Sequence, residues 1–317
     1  MKRIAFFAHY DRDGIIDDYV IYYLRGLKHV ADRILLVSDS NLREGEAARL
    51  EGLAELVSAR PHGEYDFGSW KRCLAHLNFD LAGWDELILA NDSCYAPIYP
   101  FEDVFERMSL ISCDFWSPNN TQIKDEFDHL SSYFLVLRGR LLQDTDFLKF
   151  WERVEPQPNV DAVVKEYETG LSQLLARNGY SYASLLPAAE VGSFLKTDYI
   201  HKNIHSYRSS WLKVRLLRDN PFYAIKINKA LNKIASHYPV ELVEAHLIRT
   251  LGTAKPEHHL RIISGNWRFR RYGLEISCNL KRGKPHKQKN RHFNWIKLYT
   301  YVFGVPVFAF SWPVRRI

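Results

Sequence analysis

Cysteine is scarce in this chain: Cys73, Cys94, Cys113 and Cys278 are the only four in 317 residues. No two stand at the spacing of a metal site, and they suggest no disulfide framework, so a reducing cytoplasm is expected. No stretch reaches the ~20 apolar residues of a membrane-spanning helix. Met1-Lys2-Arg3 runs straight into Ile4-Ala5-Phe6-Phe7-Ala8, too short for the core of a signal peptide. Internal repeats and low-complexity segments are missing. Acidic residues are nearly missing from one end: residues 261–317 hold thirteen Lys and Arg against a single acid, Glu275, a net of +12. Residues 1–260 hold 30 basic and 36 acidic residues, a net of −6. The overall +6 therefore hides two parts of opposite charge, which points to a terminal segment meeting a polyanion.

What remains is ordinary for a globular protein, 46% hydrophobic and 25% charged. Ile4 to Ala8 reads as a buried strand, followed by the polar loop His9-Tyr10-Asp11 and a helix from Ile15 to Leu27. Ile34 to Val37 is a second strand, Leu42 to Gly52 a helix, and Leu56-Val57 a short third strand. A helix from Ser69 to Leu77 precedes a fourth strand, Leu87 to Ala90. Phe101 to Met108 reads as a helix, Phe115-Trp116 and Ser132 to Leu137 as strands. Leu141 to Val154 and Val160 to Arg177 read as helices, the second closed by Asn178-Gly179. Strands alternating with helical patterns imply βαβ units and a largely parallel sheet. The expected division is residues 1–235 as this α/β domain and 236–317 as a basic, aromatic-rich extension.

The stretch Asp85-Glu86-Leu87-Ile88-Leu89-Ala90-Asn91-Asp92-Ser93-Cys94-Tyr95-Ala96-Pro97 organises the rest. Its apolar run reads as a strand buried on both faces. Asn91-Asp92-Ser93 follows at once, where open α/β sheets place ligands, beyond the carboxyl ends of their strands. Asp92 there can hold a hard divalent cation whose other ligands are phosphate oxygens. It can equally do no more than close the turn. Asp66 has the same two readings, as a ligand contact or a helix cap.

Several stretches together resemble the rhamnan synthesis F family of bacterial polysaccharide glycosyltransferases. They are His9-Tyr10-Asp11, Tyr65-Asp66-Phe67-Gly68-Ser69-Trp70-Lys71, Asn91-Asp92-Ser93-Cys94-Tyr95, Asp114-Phe115-Trp116 and His129-Leu130-Ser131-Ser132-Tyr133-Phe134, with Trp211 and Pro221-Phe222 as a later signature. The resemblance implies a GT-A-like fold, a mostly parallel sheet flanked by helices. It implies transfer of a sugar, with L-rhamnose expected, from a nucleotide-sugar donor such as dTDP-L-rhamnose to a growing surface polysaccharide, by inversion. A catalytically inactive GT-A-like binding module is the alternative. His9, Tyr10, Asp11, Asp66, Phe67, Gly68, Lys71, Asn91, Asp92 and Ser93 would then meet the nucleotide sugar. Asp92 would be the ligand of any Mg²⁺ or Mn²⁺, and Lys71 or Arg72 the cations if no metal serves. Inversion needs one base for the acceptor hydroxyl. Residues two apart on a helix face different ways, so only one of Glu166 and Glu168 can be that base, and Glu168 is favoured. Asp128, His129 and Ser132 would line the acceptor side, with Asp128 and His129 in reserve as base.

The tail interleaves its charge with Trp267, Phe269, Tyr272, Phe293, Trp295, Tyr299, Tyr301, Phe303, Phe308 and Trp312. That suits an anionic membrane surface, or rings that pack on the core. Nucleic acid is disfavoured because residues 1–260 are acidic. A hairpin turning near Gly304 is expected. The acceptor would be a lipid-linked glycan, and the protein peripheral on the inner face of the cell membrane.

Overall fold

The computed structural model describes residues 1–122, 129–186, 189–190, 201–218, 231–232, 234–251, 266–271, 274–279, 293–302 and 305–315. A seven-stranded sheet forms the centre. Its strands are β1 (Arg3–His9), β2 (Arg33–Ser38), β3 (Glu55–Ala59), β4 (Glu86–Asn91), β6 (Phe115–Ser117), β9 (Phe134–Arg138) and β10 (Tyr182–Ser184), in the order β10-β6-β9-β4-β1-β2-β3. The short strands β5 (Cys94–Tyr95), β7 (Asn120–Gln122), β8 (His129–Leu130) and β11 (Ala189–Glu190) belong to smaller sheets. Only β9 runs against its neighbours. The mostly parallel, helix-flanked α/β sheet of the GT-A-like expectation is therefore present.

Alternate residues of β1 explain why both faces are covered. Ala5 and Phe7 enter one apolar cluster with α1 (Asp18–Leu27) and α3 (Phe101–Ser109). Ile4, Phe6 and Ala8 enter another with α2 (Tyr65–His76), α4 (Thr145–Glu152) and α6 (Gly170–Arg177). A strand buried on both faces has no polar side to alternate, hence its unbroken apolar run. Trp70 of α2 donates from Nε1 to the Ala90 carbonyl at 3.1 Å, pinning that helix to β4.

Three expectations need correction. Residues 42–52 form no long helix, only a short turn at Ala47–Leu50. Arg43 N–H instead bonds the Gly14 carbonyl, and the Glu46 carboxylate accepts from Ile16 N–H, so this segment serves the loop after β1. The helix expected from Ser69 begins four residues earlier, at Tyr65. The helical stretch 160–177 is not uniform: α5 (Val160–Val163) and α6 flank a widened π-turn at Val164–Thr169.

Packing also runs past residue 235. The helix Val240–Leu251 lies on α1 and buries Val243 and Leu247 in the first cluster. The tail contributes an antiparallel sheet: β13 (Asn266–Arg271), β14 (Leu274–Asn279), β15 (Phe293–Val302) and β16 (Val305–Arg315). Val302 pairs with Val305, so β15 and β16 run antiparallel to each other; Gly304, near which a turn is expected, lies outside the described residues.

Candidate functional site

The order β2-β1-β4 contains a switch point: from β1 the chain proceeds to β2 on one side and later to β4 on the other. Loops leaving the carboxyl ends of β1 and β4 must diverge there, which opens a crevice. The two loops touch where Tyr10 N–H donates to Asp92 Oδ2 at 2.8 Å. Beneath it, Tyr19 of α1 donates its hydroxyl to the Asp92 carbonyl at 2.9 Å.

Behind Asp92 runs a chain of side-chain bonds. Ser93 donates from Oγ to Asn91 Oδ1 at 2.6 Å, and Asn91 Nδ2 donates to Asp66 Oδ2 at 2.7 Å. Asp66 sits in the first turn of α2 but caps nothing; its carboxylate faces β4. The backbone before it is left-handed at Tyr65, φ +56°, an uncommon conformation for a side-chain-bearing residue and one that concentrates at binding sites.

Among the described residues, carboxylates outnumber cations around this crevice. Burial, aided by the carboxylates of Asp66, Asp11 and Asp17, pushes Asp92 up to about 8, against the pull of the Tyr10 N–H. Burial, with Glu168 and Asp39, raises Asp66 to about 6, although Asn91 and Lys213 oppose it. Such a place accommodates a cation. Among the described residues no three His, Cys, Asp or Glu side chains form a metal cage. A divalent ion would therefore rest on Asp92 and take its remaining ligands from phosphate and water, which suits Mg²⁺.

A second constellation lies on the π-turn. Glu168 Oε2 accepts from Ser132 N–H at 2.8 Å and from the Ser132 hydroxyl. Glu168 Oε1 lies 3.2 Å from His129 Nε2. Burial opposes ionisation of Glu168, but these donors outweigh it and hold the carboxyl below its usual range. Glu166 is exposed, and of the two glutamates Glu168 is the one that turns inward. His129 is buried, with Nδ1 unpartnered. Asp128 lies outside the described residues.

Other expected contacts are placed differently. Phe67 is a core residue, stacked on Trp151 and packed edge-on to Trp70, with no face left for a base. Gly68 offers no open backbone: an added Cβ would collide with Cβ of Glu64, itself paired with Arg72 at 2.7 Å. Lys71 donates to the carbonyls of Glu152, at 3.2 Å, and Val154, at 2.8 Å, so it closes the end of α4 rather than meeting phosphate. His9 is buried against Ser38 Oγ at 2.9 Å, and burial lowers it to about 4, so it is a neutral structural group. Tyr10 is the ring of this loop that stays open, 61% exposed.

Asp11 is occupied as well. It accepts from Asp13 N–H and Ile15 N–H, and from Arg249 Nη2 at 2.6 Å. Burial would raise its pKa, but Arg249 and the backbone donors hold it low. Arg249 also grips Asp17 through Nε at 2.9 Å and lies 3.3 Å from Asp13. Two cations at this end of the sheet were thus not singled out in the sequence, Arg249 and Lys213. Arg249 stands in the expected extension with no local signal. Lys213 follows the Trp211 signature by two positions, the one clue to it. Its strand β12 (Leu212–Lys213) pairs with β5 (Cys94–Tyr95), directly after Asn91-Asp92-Ser93.

Comparison with known proteins adds three findings. The family described as rhamnan synthesis protein F matches residues 34–263. An uncharacterized protein of Sinorhizobium fredii is 22% identical over 256 residues, 76% of this chain and 67% of that protein. Among solved structures, S. aureus TarS matches with 13% identity over 95% of this chain and 65% of its own, TM-score 0.34. Glucosyl-3-phosphoglycerate synthase of Mycobacterium tuberculosis, solved with Mn²⁺ and UDP, matches with 11% identity over 59% and 88%, TM-score 0.32.

Proposed function

The chain belongs to the rhamnan synthesis protein F family of polysaccharide-synthesis glycosyltransferases, and from that premise we propose that it transfers L-rhamnose, with inversion, from dTDP-L-rhamnose to a growing bacterial surface polysaccharide. One observation carries the reading: the Tyr10–Asp92 contact joins the loops after β1 and β4 at the switch point. The Glu168–His129–Ser132 group approaches the same crevice: Phe134 pairs with Ala90, so Ser132 stands beside the carboxyl end of β4. Donor and acceptor chemistry need this pairing of a phosphate side and a proton-accepting side.

Tyr10 offers its open ring to the base of the donor. Asp92 and Ser93 face the diphosphate, and Asp92 would hold Mg²⁺ or Mn²⁺, which would neutralise charge on the leaving group. The acceptor hydroxyl attacks the anomeric carbon, whose bond to the diphosphate oxygen breaks. The hydroxyl proton passes to the Glu168–His129 pair. Glu168, already holding three donors, keeps His129 oriented and stabilises it as it gains positive charge.

The acceptor is a glycan carried on lipid diphosphate. Among the described residues, no helix is long and apolar enough to cross a membrane. Attachment to the inner membrane face rests instead on the +12 tail, at about 1 kcal/mol for each basic residue that reaches the surface. Sedimentation with anionic liposomes at low salt checks this part; a chain that stays in the supernatant refutes it.

The central test is incubation with a panel of nucleotide sugars, with release of nucleoside diphosphate as readout. Release from dTDP-L-rhamnose above all others is expected. Release from a different donor overturns the rhamnose assignment. Donor binding without turnover, even with lipid-linked acceptors present, favours the inactive binding module, which the single carboxylate of Asn91-Asp92-Ser93 keeps in view.

A further inference from the structure

Lys213 carries an ammonium that lacks an anion. The side chain is half-buried. Its Nζ donates to Ser93 Oγ at 3.1 Å and lies 3.9 Å from the centre of the Tyr133 ring. No carboxylate among the described residues pairs with it, although Asp66 is close enough to feel its charge. A hydroxyl and a ring face are poor replacements for the water that an ammonium gives up on burial. Its position is set by backbone. Lys213 pairs with Cys94 across β12 and β5, and Val214 N–H bonds the Ser93 carbonyl at 2.9 Å. The Ser93 hydroxyl is turned by Asn91, so the lysine meets its oxygen rather than its proton.

We propose that Lys213 is the fixed cation that receives the diphosphate of the sugar donor. The assignment rests on the donor reading above and adds to it the residue that binds the leaving group. As the anomeric carbon–oxygen bond breaks, its electron pair goes to the diphosphate oxygen. A cation already in place gains in attraction as that charge develops. Lysine suits the role as a compact point charge. The role expected of Lys71 thus falls to a residue 142 positions later, on the other side of β4 from α2.

The experiment is calorimetric titration of the full chain with UDP, GDP and dTDP and with the matching monophosphates. Wild type is compared with Lys213→Met and Lys213→Arg. Loss of one charge-assisted contact should weaken the preferred diphosphate by about 10- to 100-fold in Lys213→Met. The monophosphate should change much less, and Lys213→Arg should recover part of the loss. Equal diphosphate affinity in wild type and Lys213→Met overturns the assignment and leaves the donor reading standing. Equal weakening of both phosphates shows a merely structural role and also overturns it. A folded wild type that binds none of the six nucleotides overturns the donor reading and the assignment together. Lys213→Gln supplies the same comparison if Lys213→Met does not fold.

Discussion

The two ends of β4 treat charge in opposite ways. At its start, Glu86 is 2% exposed and lies between Arg3, at 2.5 Å, and Arg138, at 2.7 Å. Arg3 rests over the Phe105 ring and Arg138 over that of Trp116, so the buried carboxylate is fully countered and the group is packed. Just past its end, Asp92 has a backbone N–H but no cation paired with it among the described residues, and burial together with three other carboxylates raises its pKa. The first end is built to stay as it is. The second withholds its counter-charge, and an incoming ligand can supply it. Charge satisfied within the fold contributes to stability, whereas unsatisfied charge at a crevice marks where binding happens.

Asp92→Asn breaks the comparison most directly. Turnover should fall by about 10³-fold, the scale of losing a group that organises transition-state charge. Stability should move the other way. An aspartate titrating near 8 in the fold and near 3.9 unfolded keeps a proton that the unfolded chain has released. Stability is therefore lost as pH rises between those values. Asparagine stays neutral, so the variant should outlast wild type at pH 8 by about 1–3 kcal/mol and match it near pH 4. Thermal melts at both pH values check this; a variant no more stable at pH 8 contradicts the crowding of carboxylates.

Glu86→Ala tests the opposite end. Two arginines lose their shared partner, at a cost of about 3 kcal/mol. Denaturant unfolding should show that loss, while donor affinity of the folded fraction stays at the wild-type value. A change in donor affinity would mean that the two ends are coupled.

Glu168→Gln sharpens the functional side. Turnover should drop about 10²-fold with donor affinity nearly unchanged, because proton acceptance matters in the transition state. A wild-type rate would remove Glu168 from the mechanism. Lys71→Met should have the smallest effect. Removing a lysine that closes a helix costs under about 1 kcal/mol, and donor affinity should stay within about twofold of wild type. A tenfold loss of affinity would restore Lys71 to the site.

Much of the frame was legible beforehand because buried parallel strands leave a local mark. Ile4 to Ala8 and Leu87 to Ala90 are unbroken apolar runs, and the polar residues behind them could only lie at the carboxyl ends. Asn91, Asp92 and Ser93 were singled out this way, and Glu168, His129 and Ser132 by family resemblance; their roles belong to the proposal. Phe67, Gly68 and Lys71 were misjudged because a motif does not say which faces of its helix are covered. Trp151 covers Phe67, the end of α4 takes up Lys71, and Glu64 blocks Gly68; α4 lies some 80 residues away.

From sequence alone came the alternation of strand and helix, the acid after β4 and the charge imbalance between the tail and the rest. These depend on neighbours in the chain, or on composition, and need no knowledge of folding. Tertiary structure decided that Arg249 would occupy Asp11, that His9 would be buried, and that Lys213 would stand beside Ser93. Each depends on strands and helices distant in sequence meeting at one end of the sheet. The order of strands brings them there, and no local pattern of residues encodes that order.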